Sequence, residues 1–185
     1  FALLSVISMI DTGARLAFLT FMPFLLIDKG AAVEVVGFAL ALVFAGGAAG
    51  KLLCGLIAER VGVIRTTILT EIATVGLILV LITLPLMPAL FLLPVFGVVL
   101  NGTSSVLYGT VGDFVDPDHQ SRAFGLFYTL GIGTGALTPV AFGVLSDLSA
   151  LETTLTVLAA TLLASVPLCW LLRPSLAAVG VERAK

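Results

Sequence analysis

The chain has 185 residues, 59% of them apolar and 11% charged, with a net charge of −2. Soluble domains carry about 25% charged residues, so this composition excludes a water-soluble globule and makes lipid the expected solvent. The slight negative charge excludes a nucleic-acid partner, whose phosphates call for basic side chains.

The first residues, from Phe1, have neither a basic segment nor a small-residue cleavage site, so 1–10 read as helix interior rather than a signal peptide. The chain is therefore expected to be a fragment or to have its true start upstream. A spanning helix needs about 20 apolar residues, and charge-poor stretches between polar breaks mark where they fall. Helices are expected at about 1–27, 35–57, 64–84, 89–112, 122–145 and 151–172. The break at Asp28-Lys29-Gly30 ends the first, and Pro85 with Pro88 divides the charge-free run 72–112 into two. Residues 113–122 form the most polar loop, Ser146-Asp147 ends the fifth helix, and Arg173-Pro174 closes the sixth. Strict alternation, as in a membrane barrel, is absent. The expected fold is an all-α membrane protein: a six-helix transmembrane bundle over 1–173 and a tail over 174–185.

Basic residues set orientation. Arg60, Arg65, Arg122, Arg173, Arg183 and Lys185 fall on one side if the helices alternate, with Lys51 near it, and Lys29 alone falls on the other. The first side, with both termini, is expected to be cytoplasmic. Cys54 and Cys169 sit in apolar runs without a partner motif and read as packing residues, so no metal or other cofactor is expected.

Polarity is uneven among the helices. Ser8, Asp11 and Arg15 share one face of the first, and Asn101, Ser104 or Ser105, and Tyr108 repeat that spacing in the fourth. Asp11 lies near the bilayer midplane, where an ionised carboxylate is costly unless paired. Arg15, one turn on, is a suitable partner. The pair is either a structural anchor or a substrate and proton site. In the second case a solute competing for Arg15 would leave Asp11 to take up a proton. Tyr128 in the fifth helix joins the same candidate set of Asp11, Arg15, Asn101, Ser105 and Tyr108. Glu71 reads either as a partner of Arg65 or Lys51 or as an interfacial carboxylate. The small-residue runs 46–50 and 131–135 either tighten the bundle or form a sliding seam.

Between the second and third helices lies Gly55-Leu-Ile-Ala-Glu59-Arg60-Val-Gly62-Val-Ile-Arg65, a turn expected to use both glycines for want of room. Its spacing resembles the signature loop of the major facilitator superfamily, G-x-x-x-(D/E)-R-x-G-x-x-(R/K), with Val63 and Ile64 where a basic residue is usual. Polar first and fourth helices, apolar third and sixth and a glycine-rich fifth extend the resemblance over nearly the full length. It implies one six-helix half, arranged as a 3+3 inverted repeat, and the short tail favours the C-terminal half, helices seven to twelve. It implies a bacterial inner-membrane carrier of a small solute by secondary active transport with alternating access, coupled to protons. The phrase Leu19-Thr-Phe-Met-Pro-Phe resembles efflux-type members. Its partners would be the bilayer, the solute, protons and the other six-helix half. Gly55, Glu59, Arg60, Gly62 and Arg65 would form a cytoplasmic gate, Glu59 capping a helix of that other half and the arginines holding it. The alternative is that Arg60 and Arg65 are only topogenic charges.

An enzyme is not expected. The sole histidine, His119, lies in a loop, and neither GxSxG nor GxxxxGK[ST] occurs. A passive channel or scaffold of six-helix subunits remains the competing class.

Overall fold

The computed structural model describes residues 1–183, with side chains to residue 176. Lys185, assigned above to the tail, lies outside the described residues, as do the side chains of Glu182 and Arg183. The helices are α1 (Ala2–Asp28), α2 (Val33–Val61), α3 (Val63–Thr83), α4 (Leu86–Val111), α5 (Gln120–Leu148), α6 (Leu151–Leu163) and α7 (Ser165–Arg183). With α6 and α7 taken as one rod, six stretches are long and apolar enough to cross a membrane. No strand occurs among the described residues. The protein is all-α and membrane-embedded.

A spanning segment must satisfy its own polar groups, and the many threonines do so locally. Thr66, Thr70, Thr74, Thr110, Thr134 and Thr138 each donate a hydroxyl to the carbonyl four residues back. The turn after α1 needs Gly30 at φ 88°, and Lys29 Nζ then donates to the Ile82 and Leu84 carbonyls, 2.7 Å each. A cation therefore caps the carbonyl end of α3.

Several boundaries differ from the sequence expectation: α2 runs on to Val61, and α5 runs through Ser146-Asp147 to Leu148. The α3–α4 break is at Leu84-Pro85 alone, and Pro88 rides in the first turn of α4, where no donor is missed. The sixth rod is broken: α6 stops at Leu163, the residue four before Pro167, whose ring nitrogen has no proton to give it. Ser165 Oγ donates to the Leu162 carbonyl at 2.7 Å across that break. Finally, α7 does not stop at Arg173-Pro174 but runs on to Arg183.

Two apolar clusters fill the bundle, one toward each end. The first contains Phe18, Leu25, Ile78, Leu81, Phe96, Leu155 and Leu158 among others. The second gathers Leu4, Ile7, Leu107, Val111, Phe127, Cys169 and Leu172, with Ile64 packed against it. That second end therefore holds the start of α1, the α2–α3 turn and the later part of α7. Both cysteines are buried and free.

The α2–α4 seam is the closest packing. A methyl added at Gly46 or Gly50 would strike the Pro94 or Val98 carbonyl, and one at Gly97 would strike that of Val43. The 46–50 run therefore locks two helices of the same bundle. Elsewhere α2 and α5 keep broad apolar faces open, with Leu52 73% and Leu137 71% exposed. Such faces suit lipid or another apolar surface.

Candidate functional site

Between the two apolar clusters lies a polar layer. On α1, Ile7 belongs to one cluster and Ala14 to the other, with Asp11 between them. On α3, Ile68 and Val75 pack against different clusters, with Glu71 between them. On α4, Thr103 and Ser104 stand between Leu100 and Leu107. Ser165, at the break in the sixth rod, is 0% exposed and belongs to the same level.

The layer is buried and its carboxylates lack donors among the described residues. Asp11 is 4% exposed and Glu71 1%. Asp11 Oδ2, Glu71 Oε1, Thr67 Oγ1 and Thr12 Oγ1 have no hydrogen-bond partner. The two carboxyl groups lie within electrostatic reach of each other. Arg15 acts on Asp11 electrostatically, but its buried Nε also has no hydrogen-bond partner. Two nearby hydroxyls are committed elsewhere: Thr103 donates to Thr70 Oγ1 at 2.8 Å, and Thr70 donates to backbone.

Four of the sequence-derived residues come together. Asp11 and Arg15 project from α1, Tyr108 from α4 and Tyr128 from α5. The Tyr108 ring lies 5.6 Å from that of Tyr128 and 5.3 Å from that of Phe127, edge-on to the latter. Tyr108 is within electrostatic reach of Asp11 and Arg15. A methyl at Gly131 would lie 3.6 Å from Thr12 Oγ1 and 3.9 Å from both Ser8 Oγ and Tyr108 Oη, so these hydroxyls converge on the α1–α5 seam. Tyr128 is 54% exposed, which opens this group at one side.

Asn101 and Ser105 sit apart from that group, on the α2–α4 seam. Asn101 abuts Gly47 and donates to the Gly97 carbonyl at 3.2 Å. Ser105 donates to the Lys51 carbonyl at 3.1 Å. Their spacing from Tyr108 is right, but their polar atoms are used in helix packing.

The hinge is sharper than the sequence suggests. Helix α2 continues through Glu59 and Arg60, and the turn is Gly62 alone, at φ 95°. Gly55 is inside α2 with open space around it, so only Gly62 needs to be glycine for conformational reasons. The Gly62 carbonyl accepts from both the amide and the hydroxyl of Thr66, which starts α3. The charges then diverge. Glu59 lines a pocket of about 290 Å³ with Gly55, Ser105, Gly109 and Asp113, on the α4 side. Arg65 lines a separate groove against α7.

A sequence model of the Major Facilitator Superfamily matches residues 1–184. The chain belongs to this superfamily. Members of the Major Facilitator Superfamily are transporters, and membership makes this chain part of a membrane transporter, with lipid around it and a small solute as cargo. No curated protein and no solved structure matches the chain.

Thr12, Thr67, Thr103 and Ser165 of the polar layer are not singled out by the sequence, and Glu71 is placed differently by the structure. The sequence offers Glu71 either as a partner of Arg65 or Lys51 or as an interfacial carboxylate, yet it is buried at the level of Asp11 while both cations are exposed. A signal was present, because Glu71 is eight residues into α3, roughly 12 Å along its axis and so well inside a core of about 30 Å.

Proposed function

We propose that the chain is the C-terminal six-helix half of a secondary active transporter, a 3+3 inverted repeat that moves a small solute by alternating access, coupled to protons. Outward transport is the direction its resemblances favour, and a bacterial inner membrane with both termini cytoplasmic is the setting its arginines favour. Asp11, Arg15, Tyr108 and Tyr128 would form the solute- and proton-responsive group. Asn101 and Ser105 would hold α4 against α2 behind it.

The observation that carries the reading is the pair of buried carboxyl groups without donors. An ionised carboxylate costs several kcal/mol in such a place, whereas a protonated one does not. A layer whose charge cost is relieved by a proton is suited to proton coupling, because moving Arg15 toward or away from Asp11 changes what the layer must hold. At the hinge, Glu59 would meet a helix N-terminus of the other half, where a carboxylate is favoured, and Arg60 would reinforce it.

The test is transport by cells or vesicles carrying the protein, after a growth screen with toxic compounds has found a cargo. Saturable transport abolished by a protonophore is expected. Asp11→Asn should lose the response to a pH gradient while still binding cargo, and Glu71→Gln should weaken it. Full gradient-driven transport by Asp11→Asn would remove the proton assignment. Transport that neither saturates nor responds to a protonophore would replace the carrier with a channel.

A further inference from the structure

Glu59 and Arg65 line different hollows, and Arg65 lines the one against α7. Arg65 opens a groove of about 320 Å³ between α3 and α7, walled by Ile64, Ile68, Ile72 and Trp170, with Arg173 across from it. A second hollow of about 370 Å³ shares Ile64, Arg65 and Arg173 and carries the groove on to the Gly62 turn. Among the described residues no acidic side chain lines either part. Arg65 and Arg173 line both hollows, while Ile68, Leu69 and Ile72 line only the first, so one end of the groove is basic and the other apolar.

The polarity follows the order of a phospholipid. From Arg65 to Ile72 the groove descends seven positions of α3, roughly 10 Å at 1.5 Å per residue, a length that accommodates the upper part of an acyl chain. Trp170 is 58% exposed, and the Arg173 guanidinium lies over its ring at 5.9 Å. Exposed tryptophan and arginine together mark the headgroup level of a bilayer. Guanidinium groups bind phosphate in a two-pronged way that an ammonium cannot. Paired basic residues beside an apolar wall at a membrane face are the chemistry that selects anionic headgroups.

We propose that this α3–α7 groove is a binding site for one anionic phospholipid, its phosphate held between Arg65 and Arg173 and one acyl chain laid along Ile68 and Ile72. The site is distinct from the Asp11 layer and from the Glu59 pocket, and it holds whichever leaflet the hinge faces.

Trp170, the single tryptophan in the sequence, stands in the groove and reports its occupant. The chain is placed in phosphatidylcholine nanodiscs containing equal small mole fractions of either acyl-brominated phosphatidylglycerol or acyl-brominated phosphatidylcholine. Bromine quenches tryptophan on contact. Each basic residue is worth roughly a fivefold preference for anionic lipid. Brominated phosphatidylglycerol should therefore quench at a mole fraction at least about fivefold lower than phosphatidylcholine. The readout is the ratio of the two lipids, so a change in Trp170 brightness does not alter it. Arg65→Gln should lower the preference and the double variant Arg65→Gln/Arg173→Gln should abolish it. Arg65→Lys/Arg173→Lys, which keeps the charges, should retain most of it. Arg122→Gln, an exposed cation at the same end on α5, should leave it intact. Equal quenching by the two lipids in the unaltered chain would overturn the proposal, as would a preference that survives the double variant. Absence of quenching by either lipid would show the groove covered by protein, from this chain or a second copy, and would also overturn it. None of these outcomes bears on proton coupling.

Discussion

The α2–α4 and α1–α5 seams both use glycine, and they use it differently. At α2–α4 the space beyond Gly46, Gly50 and Gly97 is filled by backbone carbonyls of the facing helix. At α1–α5 the space beyond Gly13, Gly131 and Gly135 is bounded by the side chains of Thr138, Thr134, Thr12, Ser8 and Leu16. Backbone cannot yield without moving a helix, whereas a side-chain end can rotate. The first seam is a fixed joint. The second is adjustable, and it is the one that borders Asp11, Arg15 and Tyr108. On the proposed carrier reading, the fixed joint would keep the half rigid and the adjustable seam would let the lining shift around a cargo.

Substitutions at the two seams should separate accordingly. The largest effect is expected at the fixed joint. Gly50→Ala or Gly97→Ala should destabilise the bundle by about 3 kcal/mol, the upper end of overpacking costs, read as a lower unfolding midpoint in detergent. Gly133→Ala, whose added methyl meets nothing within 4 Å, is the matched comparison and should not destabilise. Equal midpoints for Gly50→Ala and Gly133→Ala would contradict the fixed joint.

An intermediate effect is expected outside both seams. Lys29 ties the end of α1 to the carbonyl end of α3 through two hydrogen bonds. Lys29→Gln should cost about 1 kcal/mol in the same measurement, given that the group is half-exposed and that hydrogen bonds to charged groups are worth about 1.5–3 kcal/mol. The smallest effect is expected at the adjustable seam. Gly131→Ala meets only ordinary contacts of 3.6–3.9 Å, so its stability should change by less than about 0.5 kcal/mol, with the gain in helix propensity offsetting mild crowding. A loss as large as that of Gly50→Ala would show the α1–α5 seam to be equally rigid.

The proline positions show where local sequence stops being informative. Pro23, Pro94 and Pro139 lie inside continuous helices, while the sixth rod breaks four residues before Pro167. Proline always removes one donor, but whether the helix breaks depends on what surrounds the freed carbonyl. The same limit applied to Asn101 and Ser105. Their helical face was readable from spacing, but the nearness of α2, which gives their polar atoms a packing role, was not.

Length and hydropathy alone determined that the chain crosses a membrane as helices, because charge-free runs of this size have one low-energy environment and backbone groups in it must bond within their own segment. The order of polar turns determined how many helices there are, and the spacing around Gly62 pointed to the superfamily. Only tertiary structure decided that Glu71 stands with Asp11 in one buried layer, that Glu59 and Arg65 part company at the hinge, and that the 46–50 glycines serve a fixed joint. Those outcomes depend on which helix faces which. That choice is made by contacts between residues far apart in the chain, and no local pattern encodes them.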